Sequence, residues 1–261
     1  MTILDKIVDC KLDEIQQAKK QTPLEKLKDT PFFHQPTRGF IESLKSNPYG
    51  IIAEFKRKSP SKNNINIEAK IQAILPLYKA YGAACVSVLT DTPFFGGSLT
   101  DLEEANVYDI PLLRKDFIVD DYQIYQAKAY GADCILLIAN ILSKSQIEDL
   151  TDTAHHLGLD VLLEFYSGED FDKYYSKLKM VGINNRNLNT FEVDYEHAIR
   201  MRNQLPEGTL GVAESAIYSP EIYKKLKNNG FDAFLMGEYF MKQNHVGMAL
   251  QSFIEETRCA F

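Results

Sequence analysis

The chain of 261 residues carries 29 Lys and Arg against 36 Asp and Glu, a formal charge of −7, with 45% hydrophobic and 25% charged residues and no tryptophan. That mixture excludes disordered and fibrous classes. The acidic balance provides no global field to gather nucleic acid or anionic lipid, so neither is an expected partner and any anionic ligand must be held at one local site.

In chain order, residues 1–20 mix Asp, Glu and Lys with isolated apolar positions and lack the apolar run of a signal peptide. Ile3, Ile7, Val8, Leu12 and Ile15 form a rough helical stripe over 3–19. Pro23, Pro31, Pro36 and Pro48 then interrupt the chain, so 1–48 reads as an extension. It is expected to pack over one end of the fold built by residues 49–261, either as a simple cover for apolar surface or as a shield for a site as well. No segment reaches the roughly 18 apolar residues of a membrane span.

From residue 49 onward, short apolar runs alternate with segments of helical spacing, the pattern of repeated βα units. Strands are predicted at 50–55, 84–90, 111–114, 134–138, 160–164, 182–184, 210–213 and 233–236. Helices are predicted between and after them at 67–81, 98–105, 122–130, 144–157, 169–178, 195–204, 219–229 and 241–257. Gly82, Gly131, Gly158 and Gly230 stand where helices should end and the chain should turn into the next strand. Eight matched units without a linker favour one domain, a closed (β/α)8 TIM barrel, over an open doubly wound sheet; the missing G-x-G-x-x-G fingerprint points the same way.

Cys10, Cys85, Cys134 and Cys259 are dispersed, without the C-x-x-C pairing of a zinc site or the density of a secreted scaffold, so reduced thiols in the cytoplasm are expected. His34, His155, His156, His197 and His245 fall in the extension or in predicted helices rather than at strand ends, so no metal is expected.

In a barrel, function collects at the C-terminal strand ends. Five of these carry polar groups: Glu54 and Lys56, which share a face by alternation; Lys115; Glu164; Asn184 with Arg186; and Glu214 with Ser215. Charges in an apolar mouth need partners, and Lys56, Lys115, Glu54 and Glu164 could satisfy one another. For any one of them a solvated strand end is the plain alternative, and the basic run 56–62 could be a solvated loop. The turns Ser215-Ala216 and Gly237-Glu238 lie where many barrels bind phosphate.

Several long motifs in order carry a resemblance: IIAEFKRKSPSK at 51–62, VSVLTDTPFFGGSLTDL at 86–102, PLLRKDFIVDDYQIYQAKAYGADCILLI at 111–138, GINNRNLNTFEVD at 182–194 and VAESAI at 212–217, with ILDKIV and TPLEKL in the extension. They resemble the indole-3-glycerol phosphate synthase family of tryptophan biosynthesis. The resemblance implies a cytoplasmic carboxy-lyase that converts 1-(2-carboxyphenylamino)-1-deoxyribulose 5-phosphate into indole-3-glycerol phosphate, with loss of carbon dioxide and water and without metal or organic cofactor. It implies Lys115 as general acid for ring closure, Glu164 as the acid/base of dehydration, and Lys56 as the contact to the substrate carboxylate. Glu54 would hold the lysines, and Asn184, Glu214 and Ser215 match further polar residues of the site. Ser59, Ala216, Gly237 and Glu238 match phosphate contacts, Phe95, Phe117 and Leu136 the walls around the aryl ring, and Arg186 the family's N-x-R position.

Two positions depart from the family's pattern: glycine is expected where Ala216 stands, and histidine more often than Tyr166. If the turn at 216 needs positive φ, alanine would strain it. A phosphosugar isomerase barrel working through Cys and Asp is the nearest rival, but no cysteine is placed to serve it. A monomer is the expected state, with a homodimer as the alternative. Lys56, Arg57, Lys58, Lys62 and Lys115 are expected to gather at the mouth and give the acidic protein a local positive field.

Overall fold

The structure is a computed structural model and describes residues 2–60, 62–187 and 192–258. Ser61, Cys259 and the stretch 188–191 of the GINNRNLNTFEVD motif lie outside these residues. Eight strands, β1 (Ile51–Phe55), β2 (Cys85–Leu89), β3 (Leu112–Lys115), β4 (Cys134–Ile138), β5 (Asp160–Phe165), β6 (Met180–Asn184), β7 (Leu210–Glu214) and β8 (Ala233–Met236), pair in parallel and in sequence order into a closed barrel. The seam is β1 against β8, with Ile51 opposite Phe234. Nearly every strand residue is buried, as expected where one face meets helices and the other fills the barrel.

Among the described residues twelve α-helices accompany the strands: α1 (Ile3–Gln21), α2 (Leu24–Lys28), α3 (Phe40–Ser46), α4 (Ile71–Ala80), α5 (Thr92–Phe95), α6 (Leu99–Ala105), α7 (Asp121–Ala129), α8 (Lys144–His156), α9 (Tyr195–Arg202), α10 (Pro220–Asn228), α11 (Glu238–Met241) and α12 (Val246–Arg258). Their starts follow local chemistry. Thr2 with Asp5, Asp120 with Gln123 and Ser143 with Gln146 form reciprocal capping boxes, and Ser219 caps α10 ahead of Pro220. All four glycines marked as helix stops have positive φ. Gly131 has a steric reason besides, since a Cβ there would meet the Asn106 side chain at 1.8 Å.

The helix expected over 169–178 does not form. A 3₁₀ stretch, Gly168–Lys173, stands there instead, held by Asp170, whose carboxylate accepts the N–H groups of Tyr166 and Ser167 at 2.8 Å. Phe171 packs edge-on against Phe165, and β6 begins at Met180, two residues before its predicted start. The last predicted helix, 241–257, is divided into α11 and α12 by the stretch 242–245.

The extension reaches both ends of the barrel. Ile3, Leu4 and Ile7 of α1 face the cavity at the C-terminal mouth. At the opposite end, Ser43 of α3 donates to the carbonyl of Ala84, just ahead of β2, and Phe40 packs among Cys85, Cys134 and Leu162 inside the barrel. Between them Arg38 grips Asp133, and the Ile41 N–H binds Asp160. The buried stripe of α1 is Leu4, Ile7, Lys11 and Ile15, with Leu12 outside it and nearly half exposed. A lysine on that stripe is not what the apolar spacing predicts, and three carboxylates around its ammonium account for its place.

Candidate active site

The C-terminal strand ends surround a cavity of about 190 Å³. Glu54, Lys56, Ser59, Phe95, Lys115, Phe117, Leu136, Glu164, Asn184, Arg186, Glu214, Ser215, Ala216, Gly237 and Glu238 all line it. The fifteen residues expected to form the site therefore come to one place. Ile3, Leu4 and Ile7, with Tyr218 and Tyr239, also line the cavity. These residues carry no chemical signature in a single sequence; only the docking of α1 brings the first three in.

At the centre the Lys115 ammonium lies 3.1 Å from Glu164 and 3.3 Å from Glu214. Asn184 donates to the second oxygen of Glu164 at 3.0 Å. Lys56 pairs with Glu54 at 2.5 Å. The mutual pairing expected of the four charges thus takes the form of two groups, with Glu214 as the unforeseen second acid on Lys115. All three glutamates are buried, so each needs such a partner.

Two glycines make room for these carboxylates. A Cβ at Gly182 would lie 2.0 Å from Glu214 Oε1, and one at Gly237 would lie 2.5 Å from Glu54 Oε1. In the sequence Gly182 reads only as a strand residue; its use shows in the cross-strand register, which sets Gly182 beside Glu164 and two pairs away from Glu214, on the same face.

Burial would lower the pKa of Lys115, but Glu164, Glu214 and Glu54 outweigh it and hold the ammonium above the ordinary lysine value. Burial raises Glu164, yet Lys115 and the Asn184 hydrogen bond prevail and hold it below the usual glutamate range. For Glu214 burial wins: even against Lys115 its pKa is pushed up to about 8, with the Glu164 charge adding to the rise. The cluster therefore carries a firmly held ammonium, one carboxylate and one carboxyl that keeps its proton at neutral pH.

The turn after β7 is strained. Ser215 and Ala216 take φ of 67° and 56°, the left-handed region that glycine favours. Asn185 donates to the Ser215 carbonyl at 2.9 Å and the Tyr195 hydroxyl to the Ala216 carbonyl at 2.6 Å, fixing both peptide planes. The conditional expectation of positive φ at Ala216 is met.

The basic run does not gather at the mouth as expected. Arg57 turns away to a two-pronged pair with Asp101 at 2.6 and 2.7 Å, and also donates to the carbonyls of Ala69 and Gly96. Lys58 donates to the Pro93 carbonyl, and Lys62 pairs with Glu238 at 2.5 Å. The alternation that points Lys56 inward sends Arg57 outward, where it ties the loop after β1 to α6. Arg186 donates to the Tyr218 hydroxyl at the rim. Tyr166 does not line the cavity; its carbonyl meets the His197 ring at 2.8 Å. Among the described residues no cluster of His, Cys, Asp and Glu is arranged to hold a metal ion, and no helix is long and apolar enough to cross a membrane.

A closed parallel barrel whose strand ends present paired acids and bases in an apolar-walled mouth defines a (β/α)8 enzyme of general acid–base type. The family described as indole-3-glycerol phosphate synthase matches residues 4–253. Indole-3-glycerol phosphate synthases from Bacteroides thetaiotaomicron and Salinibacter ruber are 46% and 41% identical, covering 97% and 96% of this chain and 98% and 94% of their own. Solved barrels far from it in sequence share the fold alone. A thiamine phosphate pyrophosphorylase from Pyrococcus furiosus aligns with TM-score 0.58 at 15% identity, over 81% of this chain and 96% of its own. An N-acetylmannosamine-6-phosphate 2-epimerase from Clostridium perfringens aligns with 0.57 at 15%, over 76% and 89%. The chain belongs to the indole-3-glycerol phosphate synthase family, carboxy-lyases of tryptophan biosynthesis acting on a small phosphorylated substrate.

Proposed function

We propose that the cavity closes the indole ring of 1-(2-carboxyphenylamino)-1-deoxyribulose 5-phosphate with Lys115 as general acid and Glu164 as the acid/base of dehydration. The observation that carries this reading is the Lys115 ammonium held between Glu164 and Glu214 at 3.1 and 3.3 Å. In the first step the ring carbon bearing the carboxylate bonds to the ribulose C2 carbonyl carbon, and the carbonyl oxygen takes the Lys115 proton. The bond to the carboxylate then breaks, carbon dioxide leaves, and the electron pair restores the aromatic ring. Finally the Glu164 carboxylate takes a proton from the adjacent carbon and passes it to the departing hydroxyl, which leaves as water as the indole double bond forms. A solvent proton restores Lys115.

The remaining residues act around these steps. Lys56, steadied by Glu54, meets the substrate carboxylate and is the second acid. Asn184 fixes the Glu164 carboxylate, which keeps the Lys115 ammonium charged, and Glu214 stands beside it as a neutral carboxyl below about pH 8. Ser59, the Ser215-Ala216 turn and the Gly237-Glu238 turn hold the phosphate through N–H and hydroxyl donors, with Arg186 at the rim. Phe95, Phe117 and Leu136 enclose the aryl ring, excluding water and so strengthening the charge interactions within. The chain itself supplies every acid and base, so the reaction calls on no metal or organic cofactor. One chain also completes the cavity, which suits a monomer working on a soluble substrate in the cytoplasm.

The test follows the fluorescence of the indole product as the carboxyphenylamino substrate is consumed, against a protein with no tryptophan. Loss of the general acid in Lys115→Ala should lower kcat by a factor of about 10² to 10⁴. Glu164→Gln should stall after decarboxylation and accumulate the hydroxylated ring-closed intermediate. Wild-type turnover no faster than Lys115→Ala would overturn the reading.

A further inference from the structure

Lys11 belongs to the extension, not to the barrel, yet it is only 1% exposed. It lies one turn beyond Ile7 on the buried stripe of α1, where a helix that merely covered apolar surface would carry leucine or methionine. Its ammonium lies 3.1 Å from Asp91, 3.0 Å from Asp116 and 2.8 Å from Glu14. Burial works against the charge, and these carboxylates more than offset it.

The two barrel carboxylates hold the aromatic walls of the cavity. Asp91 caps α5, accepting the Phe94 N–H at 2.8 Å, and α5 ends in Phe95. Asp116 follows Lys115 directly and accepts the Phe117 N–H at 2.8 Å on the same oxygen that faces Lys11. Its other oxygen accepts from Thr90 and Arg114. The Phe95 and Phe117 rings lie 6.0 Å apart, tilted by 40°. One ammonium thus stands between the loop that positions Phe95 and the strand end that positions Phe117. Without it two buried carboxylates would face each other, and Asp91 would lose its cation.

We propose that Lys11 is a positioning residue that sets the spacing of the Phe95 and Phe117 walls, and so makes α1 part of the recognition of the substrate's aryl ring. The proposal rests on the reading that those walls hold the ring. Lys11 touches no reacting atom in this scheme; it acts through Asp91 and Asp116.

The test compares wild type with Lys11→Met, which keeps the bulk and removes the charge, and Lys11→Arg, which restores it. Two probes are titrated into each protein: anthranilate for the aryl subsite and inorganic phosphate for the phosphate subsite. In Lys11→Met, anthranilate affinity should fall by about tenfold and KM rise in parallel, while kcat falls less than about threefold. Phosphate affinity should stay within about twofold, and Lys11→Arg should recover most of the loss. Anthranilate binding unchanged in Lys11→Met, or anthranilate and phosphate weakened alike, would overturn the proposal.

Should Lys11→Met fail to fold, Asp91→Asn serves instead, since asparagine still caps α5 but no longer pairs with the ammonium. It should show the same split between the two probes, and an equal loss of both would overturn the proposal. A wild type that binds both probes but does not turn over the carboxyphenylamino substrate would refute the assigned reaction, while the split between probes still decides the role of Lys11.

Discussion

Ala216 and Glu214 sit close together at the end of β7, and each departs from what its residue type prefers. A left-handed alanine costs about 1–2 kcal/mol, while glycine gives back about 0.5–1 kcal/mol through the freedom of the unfolded chain. Ala216→Gly should therefore stabilise the protein by about 0.5–1 kcal/mol in urea unfolding, with kcat/KM unchanged, because the peptide planes stay anchored by Asn185 and Tyr195. Glu214 leads to a pH dependence. Its folded pKa of about 8 lies above the ordinary 4.5, so the folded state binds this proton more tightly than the unfolded chain. That contribution to stability is complete below about pH 4.5 and is lost as the pH rises through about 8. Above that pH the ionised Glu214 also holds the Lys115 proton back, so kcat should decline. Glu214→Gln should flatten both dependences, in denaturation curves and in the kcat profile over the same range. At this scale the sequence is legible wherever alternation decides direction, as for Glu54, Lys56 and Lys115. It is not legible where a second side chain decides, as for Gly182, whose need arises only when Glu214 lies across it.

The elements divide in the same way. Strands are legible because burial on both faces leaves continuous apolar runs, and most helices because Gly and capping residues bound them. The segment 169–178 misleads because its apolar positions do suit a helix, while Asp170 spends its carboxylate on two N–H groups that fix a tighter turn. The loop after β1 shows how an element can be held by one residue. Arg57 joins it to Asp101, to Gly96 and to its own far end at Ala69. Arg57→Ala should cost about 2 kcal/mol of stability and, by releasing Lys56 and Ser59, lower kcat/KM by about tenfold. Urea unfolding and steady-state kinetics measure the two effects, and faster limited proteolysis at Lys58 should accompany them.

For the whole molecule, the net charge of −7 now has a different consequence from the one composition suggested. The cations of the mouth and its rim are largely neutralised in place: Lys56 by Glu54, Lys62 by Glu238, and Lys115 by Glu164. An anionic substrate thus approaches an acidic protein without a strong attractive field at the entrance. Added salt screens this repulsion, so kcat/KM should rise by up to about threefold between low and physiological ionic strength. An enzyme steered by positive charge would show the reverse, and that outcome in stopped-flow binding would contradict the paired arrangement of the mouth.

The extension also has a bearing on the order of synthesis. The ties of Lys11, Lys19, Arg38, Ile41 and Ser43 run to Asp91 and Asp116, Asp120, Asp133, Asp160 and Ala84. All of these are translated before the last three strands exist, whereas β1 must wait for β8 to close its open edge. The first 48 residues can therefore fasten β2 to β5 into a half-barrel on the ribosome, capped at both ends, while β1 still shows an unpaired edge to its crowded surroundings. The segment that later covers the substrate would first serve as a brace for an unfinished sheet.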